Sequence, residues 1–240
     1  MNPFNHDLFE PAASGPEKSF RGDQQAKMIK LSPSSLNLFL GCPRCFWLYL
    51  NKGLKRPSIP VATITTGLDK VIKEYCNIYR EKNILPPFLE GKVPGKLMRN
   101  LPRRGWLDFN DDKMDARLGG YLDECLELGD NLYAALDHKT RGSIPEGTHK
   151  AYQFQMDAYT FLLEQNGLPT CKVAYLVYYI PKGVATSKAI EFEVFPSQVK
   201  TDPEYAKQVF YDAVSMLTKP IPAAHKDCEF CKWTTTINIK

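Results

Sequence analysis

The chain has 240 residues, of which 43% are hydrophobic, which is enough to form one compact domain with a sizeable core. The formal net charge of +4 is too mild for nucleic-acid binding that rests on overall charge alone. No stretch approaches the ~20 apolar residues of a membrane helix, and the N-terminus lacks the apolar run of a signal peptide, so we expect a cytoplasmic protein with no membrane partner.

The first half of the chain predicts helices separated by irregular segments. Residues 1–30 are rich in Pro, Gly, Ser and charge, which predicts a disordered tail. Residues 34–50 predict a helical segment that Pro43 interrupts or bends, and residues 65–82 predict a longer helix. The span 84–115 contains four prolines and no clear period, so we expect an irregular insertion that covers the functional site.

The second half of the chain predicts alternating strands and helices. In order, these are a β-hairpin over about 117–139, a helix over 149–167, a buried strand over 171–181 and its neighbour over 188–195. Asp202 then caps a final helix that extends to about residue 218, with Pro203 in its first turn. This order of elements predicts an α/β fold.

Two carboxylates and an ammonium group come together on the predicted hairpin. Asp123 lies on its first strand, and Asp137 and Lys139 lie on its second. Because successive side chains alternate faces along a strand, Asp137 and Lys139 point the same way. Carboxylate oxygens suit a divalent cation, and the lysine would orient an attacking water or offset charge in the transition state. A solvated face with an incidental ion pair is the alternative interpretation.

The helix that follows carries Gln155 and Tyr159 four residues apart, hence on one face. An Asp, an Asp-x-Lys about fourteen residues later and a Gln-x-x-x-Tyr helix together resemble the RecB-like exonuclease branch of the PD-(D/E)XK nuclease superfamily. The resemblance implies that Asp123, Asp137 and Lys139 are catalytic. It also implies that Gln155 and Tyr159 position the DNA strand and the lysine.

The same resemblance implies a restriction-endonuclease-like core, a mixed central sheet flanked by helices, within a single domain over residues 31–240. The implied activity is a Mg²⁺- or Mn²⁺-dependent deoxyribonuclease, an exonuclease acting on single-stranded DNA or duplex ends. DNA repair, recombination or CRISPR/phage DNA processing would be its role, with a helicase, a recombinase or a CRISPR adaptation protein as partner. The backbone carbonyl of His138 would be an additional metal ligand.

One position departs from the family pattern. The family often carries a metal-binding histidine on an early helix, but residues 64–83 contain none. Asp69 and Glu74 are the acidic candidates there, and Glu74 is preferred because it lies a turn or two into the helix. Its carboxylate would suit hard Mg²⁺, although a solvated helix residue is the alternative. The missing histidine also favours a competing hypothesis, a catalytically weak or inactive nuclease-fold module that binds DNA or a protein partner.

Four of the seven cysteines form two C-x-x-C pairs, Cys42 with Cys45 and Cys228 with Cys231. Cysteines three residues apart can direct both sulfurs at one metal, either zinc or iron in an iron–sulfur cluster. A shared metal would join the N-terminal helical region to the C-terminus and close a very long loop. Two independent redox or buried cysteine pairs are the alternative.

The cysteines carry a second resemblance. The opening segment 31–48 and the split cysteine pairs are similar to AddB-type and CRISPR-associated RecB-like iron–sulfur nucleases, which implies a [4Fe–4S] cluster. Those proteins divide their cysteines one plus three, whereas this chain has two plus two, so Zn²⁺ remains the alternative.

Two basic clusters flanked by tryptophans interrupt the otherwise mixed charge. Such clusters can follow a phosphate backbone while the aromatic rings stack on bases, and a solvated surface is the alternative. Their members are Lys52, Lys55 and Arg56 near Trp47, and Arg99, Arg103 and Arg104 near Trp106.

Overall fold

The computed structural model describes residues 28–57 and 63–237. The helices are α1 (Pro33–Gly41), α2 (Pro43–Lys52), α3 (Thr63–Arg80), α4 (Lys150–Gln165), α5 (Pro203–Leu217) and α6 (Glu229–Ile237). The strands are β1 (Ile29–Leu31), β2 (Lys96–Leu97), β3 (Trp106–Asp111), β4 (Ala116–Tyr121), β5 (Glu124–Gly129), β6 (Leu132–Thr140), β7 (Val173–Val184) and β8 (Ile190–Lys200).

A five-stranded mixed sheet forms the centre of the fold, in the order β2-β5-β6-β7-β8. Strands β6 and β7 are parallel, and the other neighbours are antiparallel. Asp130 and Asn131 both have positive φ and make the tight turn that joins β5 to β6, as a two-residue hairpin of matching twist requires. The mixed sheet flanked by helices confirms the predicted α/β class.

A smaller three-stranded sheet lies beside it in the order β1-β4-β3, with β1 parallel and β3 antiparallel to β4. The structure differs here from the irregular insertion predicted over 84–115, because β3 is a regular strand. Its signal was the alternation of fully buried Leu107 with the more exposed Trp106, Asp108 and Asn110. The prolines upstream of β3 favoured an irregular segment, so this short alternating run was not predicted as a strand.

The predicted hairpin is divided between the two sheets. Its first residues belong to β4, which pairs with β3, and only β5 and β6 form the hairpin itself. Asp123 lies in the short connection between β4 and β5 rather than within a strand. The connection carries the chain from one sheet to the other and leaves the Asp123 carboxylate beside β6.

The central sheet packs apolar side chains on both faces. One face is covered by α4 and α5, where Phe161 and Phe210 are almost fully buried. The other face is covered by α3, through Ile72 and Cys76. Alternate residues of β6 belong to the two cores, so Asp137 faces α4 and His138 faces α3.

Local signals set the helix ends as predicted. Helix α1 stops at Cys42, and Pro43 begins α2 after that break. Asp202 caps α5 by accepting a hydrogen bond from Tyr205 N at 3.0 Å. The predicted disordered tail falls almost entirely on residues 1–27, which lie outside the described residues, while Ile29 and Lys30 belong to β1.

Within the described ranges, no helix has both the length and the apolar character needed to cross a membrane.

Candidate active site

Strand β6 presents Asp137 and Lys139 to helix α4, where both contact Gln155. The side-chain amide of Gln155 donates from Nε2 to Asp137 Oδ1 at 3.1 Å. Its carbonyl oxygen accepts from Lys139 Nζ, also at 3.1 Å. Lys139 forms an ion pair with Asp137 Oδ2 as well. One amide therefore fixes the relative positions of a carboxylate and an ammonium group.

Asp123 reaches the same place from the connection between the two sheets. Its Oδ2 accepts a hydrogen bond from the backbone N–H of His138 at 3.3 Å, so the carboxylate lies against β6 next to Asp137. Its Oδ1 lies 2.8 Å from Lys73 Nζ of helix α3. The structure thus brings Asp123, Asp137 and Lys139 into one cluster.

Burial makes the charge on Asp137 unfavourable. Desolvation raises the pKa of its carboxyl to about 6; the charge of Lys139 opposes this shift, and the charge of Asp123 adds to it. In the described part of the chain, Asp137 Oδ2 has no well-aligned hydrogen-bond donor, although the Lys139 ammonium lies against it. Two neighbouring carboxylates with spare oxygen lone pairs are a donor set that fits a hard divalent cation such as Mg²⁺ or Mn²⁺.

Helix α3 contributes Asp69 and Lys73 to this cluster rather than Glu74. Lys73 Nζ lies 3.0 Å from Asp69 as well as close to Asp123, and Asp69 lines a cavity of about 210 Å³ that also borders Lys139. Glu74 is exposed and pairs with Lys70 at 3.8 Å, so the structure does not bring it to the other acids. Asp69 and Glu74 are five positions apart in sequence, so they project from different sides of the helix.

Lys73 is a residue that the motif comparison did not single out. Burial by itself would lower its pKa, but hydrogen bonds and charges from Asp123 and Asp69 outweigh burial and raise it. The sequence feature that could have identified Lys73 is its four-residue spacing from Asp69, which places a carboxylate and an ammonium group on one helical face. Tyr152 was also missed; its ring lies 4.8 Å from Lys139 Nζ and forms a cation–π contact.

On the opposite face of β6, a buried polar network surrounds His138. His138 Nδ1 lies 3.1 Å from the Tyr179 hydroxyl, and its Nε2 lies 3.8 Å from Cys76 Sγ. Burial lowers the pKa of His138 to about 4, which keeps the ring neutral near pH 7. The fully buried Glu124 pairs with Arg80 through both carboxylate oxygens. Metal ligation by the backbone carbonyl of His138 stays a prediction.

Tyr159 forms a hydrogen bond with the backbone just before Asp123. Its hydroxyl donates to the backbone carbonyl of Tyr121 at 2.6 Å. Gly120 lets the ring approach, because a Cβ there would lie 3.1 Å from Tyr159 Cε1. Burial raises the pKa of Tyr159 to about 12, so its hydroxyl is a hydrogen-bond donor and not an anion. Gln155 therefore contacts Asp137 and Lys139 directly, whereas Tyr159 holds the backbone that leads to Asp123.

The two C-x-x-C pairs meet in space although nearly the whole chain separates them. Sγ of Cys42 lies 3.6 Å from that of Cys231, and Sγ of Cys45 lies 3.7 Å from Cys228 and 4.0 Å from Cys231. All four side chains are buried at the junction of α2 with α6. Arg56 donates to Cys228 Sγ at 3.5 Å and offsets part of the negative charge that thiolates would carry.

The structure defines an α/β protein with an acidic cluster on its central strand, and comparison with known proteins identifies the family. The family model of the PD-(D/E)XK nuclease superfamily matches residues 80–236. The chain belongs to the PD-(D/E)XK nuclease superfamily. The matched range contains the acidic cluster of β6 and the second cysteine pair.

Two further comparisons add little to this assignment. No curated protein matches the chain. Among solved structures, one described as "Crystal structure of SSO0001" is similar, with 13% identity and a TM-score of 0.42 over 89% of this chain and 87% of that chain. A likeness of that size carries no argument about function.

Proposed function

We propose that the protein is a RecB-like deoxyribonuclease that uses Mg²⁺ or Mn²⁺ to hydrolyse phosphodiester bonds. The observation that carries the proposal is the contact of Asp137 and Lys139 with the single amide of Gln155, beside Asp123. An incidental ion pair on a solvated face would be exposed, and its two members would not share an orienting amide. Membership of a nuclease superfamily supports the same activity.

Each residue of the cluster has a separate part in the proposed reaction. Asp123 and Asp137 would hold the divalent cation, together with the backbone carbonyl of His138, and we propose Asp69 in place of Glu74 as the acidic residue of α3. The bound cation supplies Lewis acidity toward the scissile phosphate and lowers the pKa of water. Lys139 would orient the attacking water or offset the charge that develops on the phosphate.

Cleavage of end-labelled single-stranded DNA tests this assignment. We expect Lys139→Ala to reduce the rate by about 10²–10³-fold, the usual loss for a group that stabilises transition-state charge. Lys207→Ala removes a half-buried lysine of α5, far from β6 in the chain, and serves as the control, with an expected rate equal to wild type. A folded Lys139→Ala variant that cuts at the wild-type rate contradicts the assignment.

The mode of cutting is part of the proposal. We infer exonuclease action on single strands or duplex ends, in repair, recombination or CRISPR/phage DNA processing alongside a helicase, recombinase or adaptation protein. Circular single-stranded DNA provides the test, since an exonuclease degrades the linear strand and leaves the circle intact. Cutting of both substrates at equal rates indicates an endonuclease instead.

For the cysteine centre, the sulfur spacing supports one tetrahedral ion over a cluster. Four sulfurs bound at ~2.3 Å to a single tetrahedral ion lie about 3.8 Å apart. Three of the sulfur pairs are 3.6, 3.7 and 4.0 Å apart, and all four sulfurs lie within 4.8 Å of one another. In a [4Fe–4S] cluster each cysteine binds a different iron, which requires wider spacing. We therefore propose Zn²⁺ at this centre. We expect elemental analysis to find one zinc ion per chain in a colourless protein. A brown protein with four irons per chain favours the cluster.

One observation favours a second candidate function, a nuclease-fold module that binds DNA or a protein without cutting. The Lys73 ammonium lies between Asp69 and Asp123, next to the oxygens that a metal would need. Titration with Mn²⁺ separates the two candidates. The nuclease predicts a site that Asp137→Asn removes, whereas the binding module predicts the same titration for both proteins.

A further inference from the structure

The outward face of the three-stranded sheet forms a cleft that the proposed chemistry does not use. The cleft has a volume of about 490 Å³ and adjoins Tyr159 at the edge of the acidic cluster. We call it the β4 cleft, because β4 forms its floor. The side chains that give it chemical character are Lys30, Tyr49, Trp106, Arg117 and Tyr121.

Trp106 forms a fixed aromatic wall of the β4 cleft. It is the register partner of Tyr121 across the antiparallel pair of β3 and β4, so both rings project from the same face. The indole lies over Gly119, where an added Cβ would come within 2.5 Å of Trp106 Cζ2. The missing side chain at Gly119 is therefore what lets the indole lie against the strand.

Tyr121 is the exposed ring of the same pair. Two-thirds of its surface, 67%, is accessible, although its ring centroid lies 4.8 Å from that of Trp106 in an edge-on contact. Its backbone carbonyl accepts the hydrogen bond of Tyr159, and Asp123 follows two residues later. An exposed aromatic ring thus lies two residues before Asp123, on backbone that Tyr159 holds in place.

The charge of the β4 cleft complements a nucleic-acid strand. Lys30 and Arg117 are neighbours in the parallel pair of β1 and β4, and the described residues that line the cleft include no carboxylate. Arg117 lies 5.7 Å from the Trp106 ring and 3.9 Å from Asp108, which also pairs with Arg103. Basic side chains beside stacking rings are the usual combination for single-stranded nucleic acid.

We propose that the β4 cleft binds one nucleotide of single-stranded DNA next to the bond to be cut, with its base on Tyr121 and its phosphates toward Lys30 and Arg117. This inference rests on the proposed nuclease function and specifies its substrate. In a duplex the base faces are already stacked on their neighbours, so only an unpaired strand can place a base on Tyr121.

Equilibrium binding without divalent cation tests the inference, because the strand then stays intact. Anisotropy of a fluorescein-labelled dT oligonucleotide measures affinity for wild type, Tyr121→Ala and Tyr121→Phe. Loss of one stacked base weakens binding about 5- to 150-fold, so Tyr121→Ala should lose at least about fivefold. Tyr121→Phe keeps the ring and should bind as wild type does. Tyr205→Ala, which removes another exposed tyrosine, is the matched control and should change nothing.

Three results would overturn the inference. The first is wild-type affinity in Tyr121→Ala, and the second is no measurable affinity of wild type for the oligonucleotide. The third is an equal loss of affinity for a blunt duplex, which would mean that Tyr121 acts through local structure or phosphate contact. Photocross-linking of an iododeoxyuridine oligonucleotide gives an independent readout, with adducts expected on Tyr121 or Trp106.

The result also separates this inference from the nuclease proposal. If cleavage depends on Lys139 but is unchanged in Tyr121→Ala, the proposed role of the β4 cleft is refuted and the nuclease proposal stands. Single-strand affinity that depends on Tyr121, without any cleavage, refutes the nuclease and keeps the cleft as a nucleic-acid site.

Discussion

At the scale of single residues, Asp137 is a buried carboxyl whose negative charge is unfavourable in the folded protein. The carboxyl is 2% exposed and contacts Lys139 and Gln155, yet burial still raises its pKa to about 6. Its ionised form therefore costs stability in the metal-free protein. A divalent cation bound there would recover that cost.

The pH dependence of stability follows from this shift. The folded-state pKa of about 6 exceeds the ordinary value of 3.8, so the cost of the charge is fully present above pH 6 and disappears below about pH 4. We expect Asp137→Asn to be more stable than wild type near pH 8 by roughly 2–3 kcal/mol, with no such difference near pH 4. Thermal unfolding without added divalent cation measures both values.

Asp212→Asn removes the carboxylate of a surface residue on α5 and is the control for that comparison. Its difference from wild type should be small at both pH values. Equal stability of Asp137→Asn and wild type near pH 8 would mean that the Asp137 charge costs nothing in the folded protein.

At the scale of elements, the candidate site depends on β6 of the central sheet, and the β4 cleft depends on β4 of the smaller sheet. Strand β6 separates Asp137 and Lys139 from His138 by simple alternation, so one strand serves the acidic cluster on one face and a buried network on the other. Strand β4 ends two residues before Asp123, and its consecutive glycines allow close packing on both faces. Tyr159 fixes the point where β4 passes into β5.

A methyl group at Gly119 should disturb β4 specifically. Because the new Cβ would lie 2.5 Å from the Trp106 ring, Gly119→Ala should displace the indole, at a cost of about 1–3 kcal/mol in the free energy of unfolding. Tryptophan fluorescence and thermal unfolding measure these two effects. Gly142→Ala is the control, because no atom of the residues that the structure describes lies within 4 Å of a Cβ added there. An unchanged spectrum and melting temperature would show that the indole does not depend on Gly119.

At the scale of the whole molecule, the cysteine centre joins two ends of the chain. Cys42 and Cys231 lie 189 residues apart in sequence and 3.6 Å apart at their sulfurs. A metal held there would constrain a very long loop in the unfolded chain and fasten α6 to α2. We propose that it makes residues 31–240 one cooperative domain.

Loss of one sulfur ligand tests that role. Cys228→Ser should lower the bound metal and destabilise the protein by roughly 3 kcal/mol or more, which is about 10 °C in Tm for a chain of this size. Elemental analysis and thermal unfolding are the measurements. Cys171→Ser changes an exposed cysteine outside the centre and should alter neither. Full metal content and Tm in Cys228→Ser would rule out a metal that joins the two ends.

The sequence by itself determined the features that depend on local periodicity. Alternation along a strand put Asp137 and Lys139 together, and four-residue spacing put Gln155 and Tyr159 on one side of α4. The Asp202-Pro203 pair predicted the start of α5, which begins at Pro203. These predictions needed only neighbouring residues, because backbone geometry fixes which side chains share a face.

Only the tertiary structure decided which of those faces meet. It brought Asp69 and Lys73, and not Glu74, near Asp123, because the packing of α3 on the central sheet turns one side of the helix toward Asp123. It also brought the two cysteine pairs to one point and set Trp106 beside Tyr121 across two strands. Such contacts join residues far apart in the chain, and local propensity holds no information about them.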